Sequence, residues 1–186
     1  MRSALDPTVT EESSPVPPAP RLGDLGNKRL GFVDNSKLNA DLFLSRVAAA
    51  LAGRFGAVVG PIIRKAAPKD HLSEANIVEL AKCDAVVQCF GDCGTSTSVS
   101  VADAGELERR GIPTVTVFST AFTRAARNQA EGRGMRALHL VTVPHPMHTA
   151  PRAVVAERAD KAVESIVGRL TRDLSRKRMA LRLLRR

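Results

Sequence analysis

The stretch Asp84-Ala-Val-Val-Gln-Cys-Phe-Gly-Asp-Cys-Gly-Thr-Ser-Thr-Ser98 decides the fold. Its first half is an apolar run too short for a helix and closed by Gly91, which predicts a buried central strand. Its second half is a loop of Gly, Ser and Thr, and the helical stretch beyond it ends at Arg109-Arg110-Gly111 with Pro113 just after. Strand, tight loop and helix follow one another here within about 27 residues.

The same unit recurs on either side. Arg29-Leu-Gly-Phe-Val-Asp34 reads as a strand. Leu44, Val47, Ala48, Leu51 and Phe55 then recur at helical spacing. Asn35, Ser36 and Asn39 can cap that helix, and Gly53 and Gly56 can stop it. Ala57 to Ile63 reads as a second strand, and Ser73 to Ala81 as a short helix with Ser73 as cap. Thr114 to Phe118, Ala121 to about Ala130, and Ala137 to Val143 supply strand, helix and strand. A last helix carries Val155, Ala159, Ala162, Val163, Ile166 and Leu170 on one face. Strands that are apolar throughout, each followed by a helix, predict an α/β fold of three layers: a mostly parallel sheet of about five strands with helices on both faces. In such sheets ligands gather beyond the carboxyl ends of the strands, so the loops after Asp34, Phe90, Phe118 and Val143 are expected to meet.

Domain organisation follows from composition. Residues 1–27 collect Pro, Ser, Thr and Glu without the apolar core of a signal peptide, and read as a disordered tail. Residues 28–173 form the α/β domain and 174–186 a basic tail. The segment Pro151–Arg186 carries 11 Lys or Arg against 4 Asp or Glu, so +7 of the +9 net charge lies there. That localisation favours a solvated helix end with a cationic tail over a nucleic-acid surface. The chain has no Trp or Tyr and six Phe, which also counts against a stacking platform for single strands. No apolar run approaches the roughly 20 residues needed to cross a bilayer. The expected location is the cytoplasm, where three closely spaced cysteines stay reduced.

Chemistry concentrates at Cys93. A cysteine between strand and helix meets exposed helix amides that favour the thiolate. Asp92, Gly94, Thr95, Ser96 and Thr97 offer backbone donors and hydroxyls for a substrate, thiolate or oxyanion. A small, partly buried cysteine in a loop rich in caps is the plainer alternative. A noncatalytic phosphate-binding or small-molecule module using Gly94 to Ser98 is another, although neither a Walker lysine nor a three-glycine fingerprint is present. Cys83 stands at a helix end and Cys89 within a strand, so neither completes a metal site with Cys93. No metal or cofactor is expected. His145, between Pro144 and Pro146, is the candidate general base or thiolate partner, with His148 second. His71 and His139 read as surface residues of a loop and a strand. Asn35, Ser36 and Asn39 could touch a substrate or simply cap a helix, and Thr120 and Arg124 could hold an anion or start one. A homo-oligomer is compatible with all of this.

Gly91-Asp-Cys-Gly-Thr-Ser-Thr97, then Gly105-Glu-Leu-Glu-Arg-Arg-Gly-Ile-Pro113, a strand, and Thr142-Val-Pro-His-Pro146 resemble the UGSC-motif family of selenoproteins and their cysteine homologues. Gly31-Phe-Val-Asp-Asn-Ser-Lys-Leu-Asn-Ala40 resembles the start of that family's domains, so the likeness spans about residues 29 to 170. More distantly, the chain is similar to the carboxyl-terminal part of the selenoprotein B component of glycine reductase. The resemblance places Cys93 at the reactive position of a thiol-dependent enzyme, acting in redox or carbon–sulfur chemistry on a small molecule. The family's fourth motif position is a cysteine, and here it is Ser96. A redox cycle must therefore borrow Cys89 or an external thiol reductant, and a covalent nucleophile without redox gains ground.

Overall fold

The computed structural model describes Pro15 and residues 17–171. Five strands alternate with five helices among them: β1 Arg29–Asp34, α1 Ala40–Phe55, β2 Val58–Arg64, α2 Glu74–Leu80, β3 Ala85–Gly91, α3 Gly94–Arg109, β4 Thr114–Ser119, α4 Thr120–Gly132, β5 Leu140–Val143 and α5 Arg152–Leu170. Every pairing is parallel and the spatial order is β2-β1-β3-β4-β5. The three-layer α/β reading holds.

Alternation along each strand divides the core between the two faces. Phe32 and Val87 pack with α1 and α5, while their neighbours Val33 and Val86 pack with Ile77, Leu80 and Leu107 of α2 and α3. Phe118, Ala126, Ala130 and Met135 fill the space between α3 and α4. β3 is buried at all seven positions, as a central strand must be. β2, at one edge, is only partly covered. β5, at the other, begins later than its sequence suggests, because the chain from Arg133 to His139 is taken up by turns and irregular backbone.

Two sequence boundaries change. The tail read over residues 1–27 does not hold where the chain is described beyond Pro17. Ala19 and Leu25 are buried, the Ala19 N–H donates to Glu108 at 2.6 Å, and Leu22 bridges to Thr171. Pro-rich composition hides such a segment, because its partner lies 89 residues away. The basic segment 174–186 falls outside the described residues. No helix among the described residues is long and apolar enough to cross a membrane.

Helix ends follow local chemistry in part. Ser73 caps α2 in a reciprocal box with Asn76. Gly56 ends α1 in the left-handed conformation at φ 68°, where glycine carries no Cβ penalty. The start of α1 departs from expectation: Asn39 occupies the cap position at φ 71° and makes no side-chain cap bond.

Candidate functional site

The order β2-β1-β3-β4-β5 reverses direction between β1 and β3, and a crevice opens beyond the carboxyl ends of those strands. The loops after β1, β3, β4 and β5 meet there through named bonds. Asn35 Nδ2 donates to Phe90 O at 2.9 Å, tying the β1 loop to the end of β3. Asn39 Nδ2 donates to the carbonyls of Met147, His148 and Ala150, tying α1 to the loop after β5. Asn35 and Asn39 are both buried, so the readings of them as substrate contacts or side-chain caps give way to loop ties. A carboxamide suits this task because it donates to carbonyls without bringing in charge.

Cys93 is the residue that caps α3. Its Sγ accepts from Ser96 N at 3.4 Å and lies 3.1 Å from Ser96 Oγ. The Ser96 hydroxyl in turn accepts from the N–H groups of Asp92 and Cys93 at 3.2 and 3.3 Å. Both lone pairs are thereby taken, and the one hydroxyl proton of Ser96 has two acceptors in reach, the Cys93 carbonyl at 3.3 Å and the sulfur at 3.1 Å. Burial resists ionisation of Cys93. The side-chain and backbone donors of Ser96, and the ammonium of Lys37, outweigh it and bring the thiol below its ordinary value. Lys37 was not singled out in the sequence, since nothing local relates it to a cysteine 56 positions later. Gly94 and Thr95 are exposed at the mouth of this loop, whereas Ser96 and Thr97 are fully buried. Thr97, expected to contact a substrate, has its hydroxyl buried without a hydrogen-bond partner.

Asp92 corrects the sequence reading most. Expected to touch substrate, its carboxylate is fully buried and engaged on both oxygens. Oδ1 lies 2.9 Å from His145 Nδ1, and Oδ2 lies 2.6 Å from His148 Nδ1. Oδ2 also accepts from the N–H groups of Met147 and His148 at 3.1 and 3.0 Å. Burial alone pushes the Asp92 carboxyl up. Hydrogen bonds from Ser119, from His148 and from the backbone of residues 147 and 148 prevail and hold it at about 2. Asp92 is thus a fixed anion at neutral pH, and both imidazoles turn Nδ1 toward it.

His145 is held from two further sides. Ser119 Oγ lies 3.0 Å from its Nδ1, and its backbone N–H donates to Thr120 Oγ1 at 3.1 Å. Its ring meets Phe122 with centroids 5.7 Å apart. The Thr120 hydroxyl therefore positions the histidine loop. Arg158 of α5 donates to the carbonyls of Pro144 and Pro146, pinning the same loop from outside. Both histidines stay partly open, with side-chain exposures of 36% for His145 and 40% for His148. Ser36, at φ 63°, donates its N–H to Asp34 Oδ1, and Arg124 is exposed on α4.

The remaining cysteines and histidines fall elsewhere. Cys89 is buried with its thiol directed to Ala40 O, and burial pushes that thiol well up. Cys83 is buried also, and its thiol is raised by the same cause. His71 pairs with Asp103, itself bound to buried Lys65. His139, expected on the surface, has a buried Nδ1 without a hydrogen-bond partner. Among the described residues no group of three His, Cys, Asp or Glu could hold a metal ion.

Fold and site together define a parallel α/β protein in which a cysteine caps the helix after the central strand, beside a carboxylate that holds two histidines. The chain belongs to the UGSC family, whose family model matches residues 3–172. No curated protein matches the chain.

Proposed function

We propose that the protein is a thiol-dependent enzyme in which Cys93 acts as a thiolate nucleophile on a small molecule while the histidines held by Asp92 move protons. The observation that carries this reading is the shared frame of sulfur and imidazoles. Ser96 Oγ contacts Cys93 Sγ and accepts the N–H of Asp92, whose carboxylate holds His145 and His148. An imidazole that gives its Nδ1–H to a carboxylate presents Nε2 as an acceptor, the arrangement that orients a general base. In the proposed step an imidazole Nε2 takes the Cys93 thiol proton, the sulfur forms a bond to an electrophilic carbon of the substrate as the bond to the departing group breaks, and the resulting imidazolium gives that proton to the departing group.

A nonredox course is favoured over a dithiol cycle. Ser96 cannot resolve an intermediate as a disulfide, and Cys89 is buried with its sulfur bound to the α1 backbone. A redox cycle would therefore need an external thiol. The noncatalytic reading, in which Gly94 and Thr95 bind an anion, predicts that Cys93→Ser leaves ligand affinity nearly intact. Alkylation of each cysteine as a function of pH, followed by mass spectrometry, tests the proposal. A Cys93 profile that levels off well below the roughly 8.5 of a free thiol supports it. A profile like that of an ordinary thiol overturns it.

A further inference from the structure

Beside the edge strand β5, between α4 and α5, lies a cavity of about 740 Å³. It opens near His139, which precedes β5, and so stands at the other end of the parallel strands from Cys93. Arg21, Arg127 and Arg169 line it together with Thr142 and Ser165, and none of its lining residues is acidic.

Arg21 comes from the segment before β1. Its side chain is 91% buried and its Nη2 donates to Glu108 Oε1, yet Nε and Nη1 are buried without a partner. His139 Nδ1 is unpartnered in the same wall. Buried polar atoms of this kind call for a partner, since each left unpaired costs about 1–3 kcal/mol. A water would satisfy these buried atoms, and what favours an anion over a water is the further positive charge at the rim. Glu108 balances Arg21, whereas Arg127 and Arg169, both exposed at the rim, make no ion pair among the described residues. Burial, followed by the fields of Arg21 and Arg169, holds the His139 imidazole neutral with its pKa at about 4.

We propose that this cavity is a binding site for a small molecule carrying a phosphate group, separate from the Cys93 site. Two uncompensated guanidinium groups match the two charges of a phosphate monoester, and their planar forks suit its oxygens. The Ser165 hydroxyl lines the same wall, while that of Thr142 is engaged with Thr123 Oγ1 at 3.1 Å. The volume lies within the 300–1,000 Å³ typical of small-molecule sites, so it accommodates an organic body besides the phosphate.

The test is a titration of the full chain with inorganic phosphate at constant ionic strength, reading the His139 ring by NMR. A bound anion offsets the field of the arginines, so the His139 resonance should shift saturably and its protonation should move to higher pH. Arg127→Gln and Arg169→Gln should each weaken phosphate binding about tenfold, the loss of one charge-assisted contact, while Cys93 alkylation stays unchanged. Arg21 is left intact because its bond to Glu108 is structural. An unresponsive His139, an equal response to chloride, or unaltered binding in both variants overturns the proposal. So does succinate binding as tightly as phosphate, or binding seen only with an oligonucleotide. None of these outcomes bears on Cys93 reactivity, which is measured separately.

Discussion

Replacing Ser96 by Ala removes a side-chain hydroxyl that touches the Cys93 sulfur. In the folded chain that hydroxyl stands 3.1 Å from Sγ and also accepts the N–H groups of Asp92 and Cys93. A hydrogen bond to a charged group contributes about 1.5–3 kcal/mol to the charged form. Cys93 is partly exposed, so competing water puts the effect at the low end of that range. A loss of about 1.4 kcal/mol is tenfold. Ser96→Ala should therefore lower the thiolate population of Cys93, and its alkylation rate near neutral pH, about tenfold, and the rate should level off at higher pH than in the parent. The direction follows from the thiol: its value is depressed in the fold, so the thiolate is favoured above the depressed value, and losing a donor shifts that threshold upward. The assay is alkylation by iodoacetamide across a pH series with Cys83 and Cys89 as internal references. Lys37→Met, which removes the ammonium that also favours the thiolate, should move the profile the same way. Superimposable profiles for parent and Ser96→Ala would refute the account of the activated sulfur.

Three further outcomes follow from the same contacts. Ser96→Cys places a second sulfur where the hydroxyl now meets Cys93, and mild oxidation should join the two. Peptide mapping would show the bridge, and a reactive free pair would count against the geometry. Asp92→Asn should destabilise the fold by about 2 kcal/mol at pH 7, since its carboxyl sits at about 2 against an ordinary 3.8. Because the folded value is depressed, the difference between parent and variant should be full above pH 3.8 and close as pH falls toward 2, as followed by urea denaturation at several pH values. Gly91→Ala would place a Cβ 2.2 Å from the Phe118 ring, forcing the end of β3 away from β4. A cost of about 1–3 kcal/mol and slower Cys93 alkylation are expected, read by thermal unfolding and mass spectrometry.

The elements of this protein are legible in its sequence because their causes are local. The seven-residue strand β3, apolar except for Gln88, has to be buried on both faces, and a run so enclosed belongs to a parallel sheet with helices on either side. Gly56 and Ser73 mark helix ends by conformational freedom and a hydroxyl within hydrogen-bond reach. Cys93 stands out for the same reason: its place before a helix is a fact of sequence order, and the helix amides act on whatever residue stands there.

The partners of those residues were set only by tertiary structure. Asp92 lies beside Cys93 in the chain and looked like a substrate contact, yet it holds histidines 53 and 56 positions away. Asn35 and Asn39 looked like helix caps, which would use their Oδ1 as acceptor, but the strand order carries β3 next to β1 and the β5 loop over α1, where backbone carbonyls accept from their Nδ2 groups. Arg21 looked like part of a tail until Glu108, 87 residues later, came within reach. Periodicity and capping act over a few residues and can be read from the chain. Which carboxylate meets which imidazole depends on how five strands are ordered, and that order is set by burying the central strands on both faces while β2 stays partly open at the edge.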